Sequence, residues 1–124
     1  MSWLNGTLAD FVRPMGLPAP SFDVEPDVKL SFERRGTLYL ERLDETVRIY
    51  LARRHGRLEL MKLKRALELC SPEERPAFEF HVGLEGDDDL VFLTYLQATD
   101  FIPSNLSRVL TELEHLHDRV AQES

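Results

Sequence analysis

Cysteine is nearly absent: Cys70 is the one thiol in 124 residues. That excludes a disulfide framework within the chain and fits a reducing cytoplasm. Long apolar runs are missing too. None approaches the roughly 20 residues needed to cross a bilayer, so membrane insertion is not expected. The opening stretch MSWLNGTLADFVRPMG has neither a charged start nor a small-residue cleavage site, and is not expected to act as a secretory signal. Basic charge is outnumbered, with 15 Lys and Arg against 22 Asp and Glu and a formal net charge of −7. Nucleic acid or an anionic lipid surface would want a basic face, so neither is expected as the main partner. The glycines Gly36, Gly56, Gly83 and Gly86 stand singly at turns, and no phosphate-binding loop can be built from them. Internal repeats and low-complexity tracts are absent as well.

The groups that could carry chemistry are scattered. His115 and His117 stand two apart on a helix, on nearly opposite sides, and cannot share a metal. His81 falls on the polar side of a strand and His55 in a basic loop, so no zinc-like spacing arises. Cys70 lies on an apolar helix face with no basic residue in register, and reads as an inert buried thiol. Asp87-Asp88-Asp89 lacks the alternation and terminal glutamate of a calcium loop and reads as a hairpin turn. Arg53, Arg54, Arg57, Lys62, Lys64 and Arg65 crowd together without an interleaved aromatic ring, as a solvated helix entrance does. No catalytic residue, metal site or cofactor is expected.

What is present is a set of alternating and helical patterns. At this length one domain is expected, residues 1–124, burying roughly two-thirds of its unfolded surface. Trp3, Leu4, Leu8, Phe11, Val12 and Met15 recur at three- and four-residue steps, which predicts a helix over 2–15 with Ser2 as its cap. Pro18 and Pro20 stop it. Val28, Leu30 and Phe32, then Leu38 and Leu40, then Val47, Ile49 and Leu51 alternate with polar residues, predicting three antiparallel strands. A run of helix formers follows over 58–70, closed by Pro72 and Pro76. Phe78, Phe80, Val82 and Leu84 mark a fourth strand, and a turn at 85–88 leads to a fifth. Ser104 is the expected cap of a last helix carrying Leu106, Val109, Leu110, Leu113, Leu116 and Val120. The order is α-β-β-β-α-β-β-α: an α+β fold with one five-stranded antiparallel sheet.

Two elements have more apolar surface than one core can cover. In the fifth strand Leu90, Phe92 and Leu96 point one way, with Thr94, while Val91, Leu93 and Tyr95 point the other. On the middle helix Leu60, Leu63, Ala66, Leu67 and Cys70 form one broad face, and Leu58, Met61 and Leu69 a second. Periodicity alone does not say which helix face is core. A surplus on both elements predicts an oligomer or a bound chain. The dimer interface is assigned to Leu58, Met61, Leu69, Val91, Leu93 and Tyr95. A bound chain is expected near Trp3, Leu4, Leu8 and Phe11 of the first helix and Leu38, Tyr39 and Leu40 of the second strand.

These patterns resemble a known family. A small acidic α-β-β-β-α-β-β-α chain is similar to the class I chaperones of type III secretion. The start MSWLNGTLADFVRPMGLPAP, the segments Gly36-Thr37-Leu38-Tyr39-Leu40-Glu41 and Tyr50-Leu51-Ala52-Arg53, and the strand Leu90–Leu96 look most like the SycN type. The resemblance implies a non-enzymatic bacterial cytoplasmic protein that dimerises through its middle helix and adjoining strands. It implies pairing with a second small chaperone of the YscB type, and capture of the amino-terminal segment of a secreted YopN-like gatekeeper over apolar grooves. A homodimeric effector chaperone, and a small regulatory or ligand-binding α+β domain, are the alternatives.

Overall fold

A computed structural model of the chain describes residues 3–22, 27–32, 35–56, 60–71, 78–86 and 89–122. Its elements are α1 (Trp3–Val12), β1 (Asp27–Phe32), β2 (Gly36–Arg42), β3 (Thr46–Arg54), α2 (Leu60–Leu69), β4 (His81–Glu85), β5 (Asp89–Gln97) and α3 (Pro103–Ala121). Short 3-10 turns at Arg13–Met15 and Ala98–Asp100 extend α1 and lead into α3. This is the expected element order, and the five strands form one antiparallel sheet.

The strand order is β1-β2-β3-β5-β4. Two nine-residue strands, β3 and β5, pair from Thr46↔Gln97 to Arg54↔Asp89 and form the spine. The β4–β5 hairpin therefore turns inward, leaving the short strand β4 at one edge and β1 at the other. Alternation decides what each strand buries. Val28, Leu30, Leu38, Leu40, Val47, Ile49, Leu51, Leu90, Phe92 and Leu96 join one core with the inner residues of all three helices. At about 2 kcal/mol per fully buried Leu, Ile or Phe side chain, this layer dominates the favourable side of folding. Thr94 interrupts the apolar run on β5, but its hydroxyl donates to the Glu79 carbonyl at 2.6 Å, so the polar atom is satisfied.

One turn depends on a glycine. Gly36 opens β2 at φ +111°, and an added Cβ would stand 2.2 Å from the Ala52 carbonyl oxygen on β3. Only hydrogen fits there.

Several boundaries differ from the sequence reading. The first helix is α-helical only to Val12, because Pro14 follows and the chain tightens into a 3-10 turn. The fourth strand begins at His81; Phe80 is buried just before it, and Phe78 packs edge-on against Phe80. The last helix is capped by Ile102, not Ser104, with Pro103 at its first position, where a missing N–H costs nothing. Ser2, Arg57, Leu58, Pro72, Pro76, Asp87 and Asp88 lie outside the described residues.

Candidate protein-binding surfaces

Most of the residues expected to touch a bound chain are core. Leu4, Leu8 and Phe11 line the inner side of α1, and Leu38 and Leu40 the inner side of β2; none is more than 4% exposed. A side chain already packed on all sides offers a partner no area, so these five assignments are corrected. The orientation of α1 is pinned at two points. Thr7 donates its hydroxyl to the Phe101 carbonyl at 2.8 Å, and the Asn5 carbonyl oxygen accepts the Phe22 amide at 2.9 Å. Trp3 stands clear of this packing at 50% exposure.

Tyr39 behaves differently, because it belongs to the opposite side of the sheet. Register places Lys29, Tyr39, Tyr50, Leu93 and His81 in one row across all five strands. The Tyr39 and Tyr50 rings stack with centroids 4.7 Å apart, and the Lys29 ammonium lies 5.9 Å from the Tyr39 ring. Arg48 approaches the Tyr50 ring while its guanidinium is paired with Glu41. Burial, with Glu85 nearby, raises the pKa of both phenols, so both rings stay uncharged at physiological pH. Tyr95 is exposed in the next row, edge-on to His81. Thus Tyr39, assigned to one partner, and Leu93 and Tyr95, assigned to another, share one face. Val91 is on that face too but is nearly buried beside Ala52 and Gly83, and contributes little area as an interface residue.

The middle helix splits along a different line from the one expected. Ala66 and Leu69 are in the core, with Leu63 and Cys70 packed against it. Leu69 is 1% exposed, so its assignment to an interface is corrected. Leu60 and Leu67, grouped by periodicity with Leu63, Ala66 and Cys70, are 79% and 64% exposed, and Met61 is exposed as well. At 100° per residue Leu60 and Leu67 fall on one stripe and residues 63, 66, 69 and 70 on another. Contact with α3 and β4 selects which stripe turns inward. Burial pushes the Cys70 thiol up to about 11, which keeps it protonated and unreactive.

Between α2 and the edge strand β4 lies an apolar groove of about 230 Å³, lined by Leu63, Leu67, Val82, Gly83, Leu84 and Leu90. Its rim residue Leu84 is 56% exposed. Lys62, Lys64 and Arg65 project from the same helix, against one acid, Glu68. A family model described as the type III secretory system chaperone SycN matches residues 3–121, nearly the whole chain. The chain belongs to that family.

Curated SycN proteins of Yersinia pseudotuberculosis and Yersinia enterocolitica are 28% and 27% identical to it, over 97% of this chain and 98% of theirs. Solved type III chaperones share the fold. A chain of the Yersinia pestis SycH structure, in complex with a fragment of YscM2, superposes with a TM-score of 0.68 at 18% identity, covering 98% of this chain and 99% of that one. A chain of the ExsC–ExsE complex gives 0.73 at 20% identity, covering 92% and 88%. Membership makes this SycN-family chain a secretion chaperone rather than an enzyme. Among the described residues, no cluster of three or more His, Cys, Asp or Glu could hold a metal, and no helix is long and apolar enough to cross a membrane.

One feature of this SycN-family chain escaped the sequence reading. His117 is fully buried and its ring contacts His55. The signal was visible: His117 lies four residues after Leu113 and three before Val120, on the apolar stripe of α3.

Proposed function

We propose that the chain is one half of a chaperone pair in the bacterial cytoplasm, joined to a second small chaperone at the α2–β4 groove. Leu67 and Leu84, exposed at that groove, with Leu60 on the same stripe of α2, carry the reading, because large apolar side chains left uncovered on one face demand a cover. The aromatic face of Tyr39, Tyr50, Leu93 and Tyr95, with Trp3, is assigned to the amino-terminal segment of a secreted gatekeeper of the YopN type. Rigid, uncharged rings give an extended segment contact area at little entropic cost. One structural neighbour comes from the heterodimeric ExoU–SpcU complex of Pseudomonas aeruginosa, which supports pairing with an unlike chain as a mode open to this fold.

Co-expression tests the reading. The chain alone is expected to be aggregation-prone or weakly self-associated, and a YscB-type partner to yield a soluble one-to-one pair by size-exclusion chromatography with light scattering. That pair should retain a gatekeeper amino-terminal segment in a pull-down. A monodisperse monomer that ignores both would end the proposal.

A further inference from the structure

His117 joins three parts of the molecule. Its Nε2 lies 2.7 Å from the Leu51 carbonyl oxygen on β3. A carbonyl only accepts, so Nε2 carries the hydrogen and, in a neutral ring, Nδ1 is the acceptor. His55 Nε2, 2.8 Å away, must then donate to that Nδ1. His55 follows the last residue of β3 and precedes α2 by a few residues; the Lys62 ammonium of α2 donates back to its carbonyl at 3.3 Å. The two imidazoles stack at 5.1 Å, and the Phe92 ring of β5 meets His117 edge-on at 4.9 Å.

We propose that this stacked pair is a proton-operated latch that holds the β3–α2 junction, and with it the α2 wall of the groove, against α3. Its state is set by hydrogen-bond geometry. The first proton has a place, on His55 Nδ1, because His55 still donates through Nε2. A second would sit on His117 Nδ1 and set two N–H groups against each other across 2.8 Å. The closed latch therefore takes one proton and the open one takes two.

The charged neighbours among the described residues bear on that balance. From β3, Arg53 faces both rings; it donates to Asp118 at 2.7 Å and to the Arg35 carbonyl at 2.9 Å. From α2, Lys62 faces His55; from α3, Asp118 acts on both rings, while Glu114 is paired with Arg35. Burial first, then the cations, hold both rings below the ordinary histidine range, His117 at about 3. Groups lowered in this way stabilise the closed state fully above the unfolded value near 6.5, and the stabilisation is lost as pH falls below it. The helix α2 is the piece to loosen first, because only Ala66 and Leu69 of its residues are fully buried.

Amide hydrogen exchange on the isolated chain tests the latch. After correction for intrinsic rates, the opening constant of residues 60–69 should rise about tenfold from pH 6.5 to 5.5, one extra proton per opening, while β2 and β3 amides keep their protection. ¹⁵N-histidine spectra should show His117 neutral throughout that range. The His117→Gln variant, whose amide can donate to the Leu51 carbonyl and accept from His55 but cannot titrate, should flatten the dependence. A flat profile in the wild type, a uniform loss across the sheet, an unaltered slope in His117→Gln, or His117 titrating near 6.5 would overturn the proposal. The consequence for partner binding rests on the reading of the groove given above. Acid-loosened α2 amides with unchanged affinity for the second chaperone would refute that reading and leave the latch standing.

Discussion

At the scale of single residues, what decides function here is which apolar side chains the core has left over. Trp3 and Leu8 sit on the same short helix, yet one is half exposed and the other has no exposed surface. Truncation separates them. Leu8→Ala should cost about 2–5 kcal/mol, seen as a lowered melting temperature, because it leaves a cavity in a packed layer. Trp3→Ala should leave the melting temperature within a degree or two and weaken capture of the secreted segment in a titration. If Trp3→Ala destabilises the fold instead, its place in the bound surface is lost. Sequence could not draw this distinction. Leu4, Leu8 and Phe11 carry the same helical spacing whether they face a core or a groove, and nothing local marks Asn5 and Thr7 as the bonds that pin the helix. His117 was legible by position but hidden by residue type, since a histidine reads as polar until its partners are known.

At the scale of elements, alternation in the strands was legible and the rotation of α2 was not. Period-two patterns give each strand only two choices of face, and the nine-pair ladder between β3 and β5 makes the choice collective. A ten-residue helix with apolar residues at 60, 61, 63, 66, 67 and 69 has no single stripe. Its rotation is set by contact with β4 and α3, which follow it in the chain. The two sides differ in a measurable way. Leu69→Glu buries a carboxylate with no partner, costs several kcal/mol, and should abolish the cooperative melt. Leu67→Glu places the same charge at the rim of the groove, and should preserve the far-ultraviolet circular dichroism while abolishing association with the second chaperone. Equal unfolding by both changes would mean that the groove is part of the core.

At the scale of the whole molecule, charge argues for an unlike partner. The chain is acidic overall, yet α2, one wall of the groove, carries Lys62, Lys64 and Arg65 against one acid, Glu68. A two-fold homodimer through this face would set these cations against their own copies or near neighbours. At roughly 7 Å and an effective dielectric near 20, each such contact costs about 2 kcal/mol before screening. An acidic partner reverses the sign of the same contacts. Salt then acts in opposite directions on the two assemblies, because the Debye length falls from about 10 Å at 0.1 M to about 3 Å at 1 M. Self-association of the chain alone should strengthen as salt is raised, since screening removes repulsion and leaves the apolar contact of Leu60, Leu67 and Leu84. Pairing with an acidic chaperone should weaken over the same range, mainly through slower association. Sedimentation equilibrium on the single chain and a salt series of binding kinetics on the pair measure the two slopes. A homodimer that is tight at low salt and indifferent to its concentration would mean that these cations do not oppose self-pairing, and the preference for an unlike partner would fall with them.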